Sequence, residues 1–132
     1  MPRLVKGGKW AYGWVVVGSE RGVTIPPEAW REFGFRAGDE AIFTPGSRKS
    51  RGFAISTPEL MEEFSERLGG GTLRVLARER FGDGRVTVPP EVGVEPGDRL
   101  LTVRGSRYGL GIVAQGPIYE EALKHPELEL FE

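Results

Sequence analysis

Residues 22–28 read Gly-Val-Thr-Ile-Pro-Pro-Glu and residues 85–91 read Arg-Val-Thr-Val-Pro-Pro-Glu, five identities in seven positions at an offset of 63. The matches continue outward. Ala-Gly-Asp-Glu at 37–40 returns as Pro-Gly-Asp-Arg at 96–99, Gly-Ser-Arg at 46–48 returns at 105–107, and Pro58 returns as Pro117, all at an offset of 59. The drop of four falls where Ala29 to Phe33 precede Gly34 in the first copy but only Val92 precedes Gly93 in the second, a loss of about one helical turn. Constant offsets on either side of one deletion identify a tandem duplication. Repeat one covers about 10–69, repeat two about 72–125, and a tail 126–132 follows, all within one compact domain over 1–132.

Each copy predicts the same elements. A strand (Tyr12 to Val17; Leu73 to Arg80) enters a glycine turn, a β-branched Val-Thr-Ile/Val strand follows, and Pro-Pro ends it because proline cannot donate to a ladder. The second proline starts a short helix in copy one, stopped by Gly34. The Gly-Asp turn leads into strands Glu40 to Thr44 and Arg99 to Arg104, and return strands Gly52 to Ser56 and Gly111 to Gln115 follow the Gly-Ser-Arg tips. Each unit closes with a proline-initiated helix. In the first, Thr57 is the N-cap, and Leu60, Met61, Phe64 and Leu68 form an apolar stripe that Gly69, Gly70 and Gly71 terminate. The second runs from Ile118 to Lys124. The matched pairs Val23/Val86, Ile25/Val88, Ile42/Leu101 and Phe53/Ile112 are the candidate core.

Composition narrows the class further. Twenty glycines and ten prolines in 132 residues exclude a helical bundle, while 39% hydrophobic content excludes a disordered chain. The absence of cysteine removes disulfides, thiolate zinc sites and cysteine nucleophiles, and the single His125, near a helix end, leaves no material for a His-based metal site. No metal or other cofactor is expected. Asp39 and Asp98 follow glycines in turns, where aspartate caps its own backbone, so no catalytic role is expected and the chain reads as a non-enzyme. Residues 10–18, WAYGWVVVG behind Arg3, Lys6 and Lys9, imitate a secretory signal, but two tryptophans and a glycine favour a strand. No run approaches a membrane span, and a cytoplasmic location is expected.

The string VTIPPEAWREFGFRAGDEAIF, with its partner GRVTVPPEVGVEPGDRLLTV, resembles the SpoVT-AbrB family of swapped-hairpin DNA-binding domains (the AbrB, MazE and MraZ-like group). The unit-helix-unit-helix layout is similar to the MraZ branch, whose Asp-x-x-x-Arg signature is absent from both turns. Members pair two identical chains into one interleaved barrel, so the resemblance implies a mainly β, pseudo-dimeric swapped-hairpin β-barrel made from two tandem repeats, with a short helix after each. It also implies a DNA-binding transcriptional regulator acting on double-stranded DNA. Independently of the family, four short strands cannot bury both faces, whereas two units can close a sheet and remove its edges.

The resemblance places DNA contacts on basic residues before and within the Gly-Arg turn and on the short helix. In copy two these are Arg85 at the turn and Arg78 on the preceding strand, with Arg80 and Arg74 at alternate positions on the same side. In copy one Gly22 replaces the turn arginine and Arg21 is adjacent; Val15 and Val17 align with Arg78 and Arg80, and Arg31 lies in the helix. A second basic group, Arg48, Lys49 and Arg51, sits on a glycine-flanked tip suited to holding a phosphate. The bland alternatives are a solvated strand face and an ordinary exposed hairpin tip.

The net charge of -1 hides a segregation: the predicted barrel carries +6, and its closing helices and tail carry -7. That is the pattern of a basic phosphate-binding face with acidic appendages, and also of ordinary soluble helices. Leu128, Leu130 and Phe131 alternate with acids in the tail. This suggests a second reading, an antitoxin-like module whose tail docks on a protein partner, or a tail that lies over its own basic surface. Homo-oligomers are compatible with either; a membrane partner is not expected.

Overall fold

The two Val-Thr-Ile/Val segments form strands that pair with each other. The structure, a computed structural model, describes residues 10–46, 49–67, 69 and 74–132. Arg48 and Leu68, like the basic start at Arg3, Lys6 and Lys9, lie outside the described residues. The chain is mainly β with short helices. Repeat one gives β1 (Trp10–Val16), β2 (Gly22–Thr24), α1 (Pro27–Glu32), β3 (Glu40–Pro45), β4 (Phe53–Ser56) and α2 (Pro58–Arg67). Repeat two gives β5 (Ala77–Arg80), β6 (Arg85–Thr87), a 3₁₀ turn (Pro90–Val92) where the helix is missing, β7 (Arg99–Ser106), β8 (Gly109–Val113) and α3 (Pro117–Ala122). A ninth strand, β9 (Leu130–Phe131), follows in the tail.

One sheet has the order β5-β3-β4-β8-β7-β1-β9, and β2 and β6 form a separate ribbon. Apart from β9, the order reads the same from both ends when the repeats are exchanged: the first strand of each repeat pairs with the third strand of the other. The pairs at the centre join equivalent residues. Val23 faces Val86 in the ribbon, and Phe53 faces Ile112 between β4 and β8, so a pseudo-twofold axis runs through both contacts. The expected closed barrel is not found. Among the described residues the sheet has two ends, β5 and β9, that do not pair, and the ribbon closes over one face without joining the ladder.

All four expected core pairs are buried. Val23, Val86, Ile25, Val88, Phe53 and Ile112 belong to the main core between sheet and ribbon, and Leu101 lies in a second cluster on the outer face with Trp14, Val103, Val113, Ala122 and Leu128. The helix that only repeat one possesses adds aromatic mass. Phe81 from repeat two stacks on Phe35 at 4.5 Å and meets the edge of Trp30 at 5.4 Å, so the inserted turn is held by the other copy. Thr57 caps α2 as expected, its hydroxyl accepting the Leu60 amide at 3.2 Å.

The acidic tail is not free. β9 runs parallel to β1, with Trp14 opposite Leu130 and Val15 opposite Phe131, and the Trp14 amide donates to the Glu129 carbonyl at 2.8 Å. Gly13 admits it: a Cβ there would stand 2.5 Å from the Glu129 carbonyl oxygen and 2.8 Å from the Phe131 ring. Gly13 sits at a register shift in β1, and its carbonyl accepts the buried Thr102 hydroxyl at 2.8 Å.

Arg21 locks the ribbon to the segment after it. It occupies the left-handed region (φ 67), where Gly84 stands in repeat two (φ 70), and its Nε donates to the Val88 carbonyl at 2.6 Å while Nη2 reaches the carbonyls of Pro89 and Val94. A non-glycine left-handed residue costs about 1–2 kcal/mol. Charged hydrogen bonds worth about 1.5–3 kcal/mol each offset that.

Two predictions follow from these contacts. Gly13→Ala lowers the unfolding free energy of the full chain by about 1–3 kcal/mol, read by urea titration, and has a clearly smaller effect in a chain ending at residue 125; equal losses in both would mean the tail is not what Gly13 accommodates. For Arg21, urea titration should rank Arg21→Ala below Arg21→Gly by about 1 kcal/mol, since glycine removes the clamp but also the backbone strain. A larger loss for glycine would contradict the backbone strain at Arg21.

Candidate nucleic-acid interface

The two turns that enter the ribbon are anchored at their ends by the same bonds. The Val17 and Phe81 amides donate to the Asp98 and Asp39 carbonyls, the Gly97 and Gly38 amides return to the Val17 and Phe81 carbonyls, and Gly18 and Gly82 donate to Gly22 and Arg85. The Val88 and Ile25 amides close the set on Arg21 and Gly84. Between the shared ends, repeat one has Ser19 and Glu20 where repeat two has Asp83 alone. This one extra residue moves the strand register: Trp14 pairs with Leu101 as Arg78 pairs with Ile42, and Val16 with Arg99 as Arg80 with Glu40. The counterparts of Arg78 and Arg80 are therefore Trp14 and Val16, not Val15 and Val17 as a gapless alignment implies.

The same bonds make Gly22 the counterpart of Arg85. Gly22 lies diagonally across the ribbon, and a Cβ on it would stand 2.8 Å from Arg85 Nη2. The missing side chain opens the lane through which the Arg85 guanidinium crosses to Thr24, donating from Nη1 to Oγ1 at 2.7 Å. Two arginines at equivalent positions would compete for this one lane, which is a physical reason for the asymmetry of the copies.

Around Arg85 stand two other expected residues. Arg80, exposed at the end of β5, donates to the Gly38 carbonyl at 2.9 Å and shares a shallow depression with Arg85, Gly22 and Thr87. Arg31, exposed on α1, shares the neighbouring depression with Arg85, Thr24 and Trp30. The turn Asp83-Gly84 separates the two. Among the described residues no carboxylate lies within salt-bridge distance of Arg31, Arg80 or Arg85. Three guanidinium groups therefore rim one surface, each with donors free to take phosphate oxygens. Asp83 lines both depressions and sets a local negative charge among them.

The remaining candidates do not join this group. Arg78 is on the adjacent strand position but is ion-paired with Glu40. Arg21, as described, has its donors turned onto carbonyls of its own chain, with 17% of its side chain exposed; a DNA contact there would have to break that clamp. Arg74 precedes β5 rather than lying on it, so the expected alternation of Arg74, Arg78 and Arg80 along one strand is interrupted. It lines a cavity of about 240 Å³ under α2, with Met61, Phe64 and Tyr108. Lys49 and Arg51 sit on the β3–β4 tip, roughly 15–20 Å along β3 from Gly38 and Glu40 at 3.3 Å per residue. That tip is pinned to repeat two, where the Ala114 and Gln115 amides donate to the Ser50 carbonyl at 2.9 and 3.0 Å.

Asp98 accepts the Glu95 amide at 2.9 Å, the turn role expected after Gly97. Among the described residues no group of three or more His, Asp or Glu side chains is placed to hold a metal ion, and no helix is long and apolar enough to cross a membrane. Sequence reasoning missed Thr24 and took Gly22 only as a replaced arginine; the signal for both was the repeat itself, since equivalent strands that pair with each other place position 22 diagonal to position 85. No protein-family model matches this chain, and no curated protein is significantly similar to it.

Proposed function

We propose that the chain is a DNA-binding regulator of the SpoVT-AbrB type, in which two tandem repeats supply within one chain the interleaved swapped-hairpin arrangement that such domains otherwise build from two. Arg85, Arg80 and Arg31 contact the phosphate backbone of a duplex. The observation that carries this reading is the Arg85 guanidinium laid across Gly22 on the ribbon, flanked by two further exposed arginines without carboxylate partners. The strand order, symmetric under exchange of the repeats, supports the architecture. The grip is one-sided. Trp14, Val16 and Gly22 stand at the equivalents of Arg78, Arg80 and Arg85, so the second repeat supplies the strand and turn arginines and the first adds Arg31 from its helix.

The antitoxin-like alternative receives less support, because residues 130–131 of the tail are already paired to β1. The tail also sits at the end of the sheet order opposite β5, which argues against its lying over Arg80.

Phosphate contacts release counterions, so three of them give a slope of about -3 for log K against log salt. Fluorescence anisotropy with a random-sequence duplex should show that slope at low ionic strength. Arg85→Ala should weaken binding and reduce the slope by about 1, while Arg74→Ala leaves both unchanged. An absence of duplex binding at low salt, or an equal response to both substitutions, would remove the proposal.

A further inference from the structure

The sheet ends differ in a way the repeat makes measurable. In β1 the alternation of an antiparallel ladder turns the main-chain groups of Trp14 and Val16 away from β7, because Val17 is bonded to Asp98 and Gly97 on that side. The tail takes up that edge, with the Trp14 amide on the Glu129 carbonyl. In β5 the same alternation applies, since Phe81 bonds to Asp39 and Gly38, so the amides and carbonyls of Arg78 and Arg80 face away from β3. These are the counterparts of Trp14 and Val16. Among the described residues no strand pairs with them.

We propose that the outer edge of β5 is a binding site for an extended acidic peptide segment, which adds as a strand alongside Arg78 and Arg80 in the manner that β9 adds to β1. The chemistry of the occupant follows from the side chains. Arg78 and Arg80 project to the outer face, both exposed, and a strand laid beside them places alternate residues about 5 Å away on that same face. On β1 the tail places Leu130 opposite Trp14, and Leu128 packs in one apolar cluster with Trp14. Beside Arg80, and beside Arg78 once it exchanges Glu40 for an incoming carboxylate, the matching residues are glutamate or aspartate. The tail of a second copy shares this alternation but is already paired to its own β1. Like charges on an edge oppose pairing with another β5, so they select an acidic partner while blocking self-association. The site is defined by main-chain groups and stands whether or not DNA binds at Arg85.

The full chain, labelled for NMR and free of DNA, is titrated with acetyl-Glu-Val-Glu-Val-Glu-amide. Hydrogen exchange at the Arg78 and Arg80 amides should be fast in the free chain and slow at least tenfold at saturation, and the peptide with lysine for glutamate should bind at least tenfold more weakly. Arg78→Pro removes an outward amide without touching the ladder to β3 and should abolish binding while amides in β3 and β4 stay protected. Slow exchange at Arg78 and Arg80 in the free chain would overturn the proposal, since the edge would already be filled. No saturable binding of the acidic peptide, or equal binding of the lysine peptide to the unsubstituted chain, would overturn it as well, and neither outcome depends on the proline variant folding.

Discussion

Val23 and Val86 lie opposite each other in a ribbon only three residues long, and the rest of the structure is arranged about that contact. A single repeat has a first strand whose partner is not in the same repeat. β1 can satisfy its inner edge only on β7, and β5 only on β3. Buried main-chain groups must be paired, so neither copy completes its sheet without the other. The ribbon fixes how the copies meet: equivalent residues face one another across it and again at Phe53 and Ile112. Sequence duplication thus becomes a structural twofold. The first and third strands of each copy then have one geometry in which both find a partner.

Within that symmetry the copies have divided their tasks at a single turn. Repeat two reads Gly84-Arg85 and repeat one Arg21-Gly22. The left-handed position falls on Gly84 in one and on Arg21 in the other. Exchanging the order of glycine and arginine converts a side chain that crosses the ribbon surface into one that folds inward onto Val88 and Val94. The two arginines differ in role because one residue's shift along the backbone points them to different sides of the turn. It is the same number of charges with a different use.

The repeat, the strands, the capped helix and the core pairs were legible because each leaves a local mark: proline pairs, β-branched triplets and a four-residue apolar spacing. The strand register was legible only to within one residue. Ser19 and Glu20 stand against Asp83, and no local property says on which side of a turn an extra residue is absorbed; only the bonds at Gly38 and Gly97 decide it. The two-residue strand at Leu130 and Phe131 left no mark at all. Its acidic alternation reads as a tail that docks on a partner or on its own basic surface, and its pairing with β1 depends on Gly13, more than a hundred residues away. Among the candidate contacts, Arg85 came from the motif and Arg80 from strand alternation beside Arg78. The lane of Arg85 over Gly22 came from the cross-ribbon geometry.

The outer face shows why a basic surface and an acidic tail belong to one chain. At equivalent positions repeat one carries Trp14 and repeat two Arg78. Trp14 is 2% exposed, and its cover consists of Tyr119 at 5.0 Å, the Arg99 guanidinium at 4.5 Å and the segment around Leu128. All of that cover comes from repeat two and its extension. Arg78 needs no such cover, only the half-buried Glu40 beside it. An apolar residue at this position requires a helix and a tail over it, and burial of a large aromatic provides the free energy to hold them there. A charged residue leaves the face open to solvent and to ligands. The tail therefore follows from what repeat one became, and the arginine surface from what repeat two retained. One substitution pattern at a duplicated strand accounts for both the covered end of the sheet and the open one.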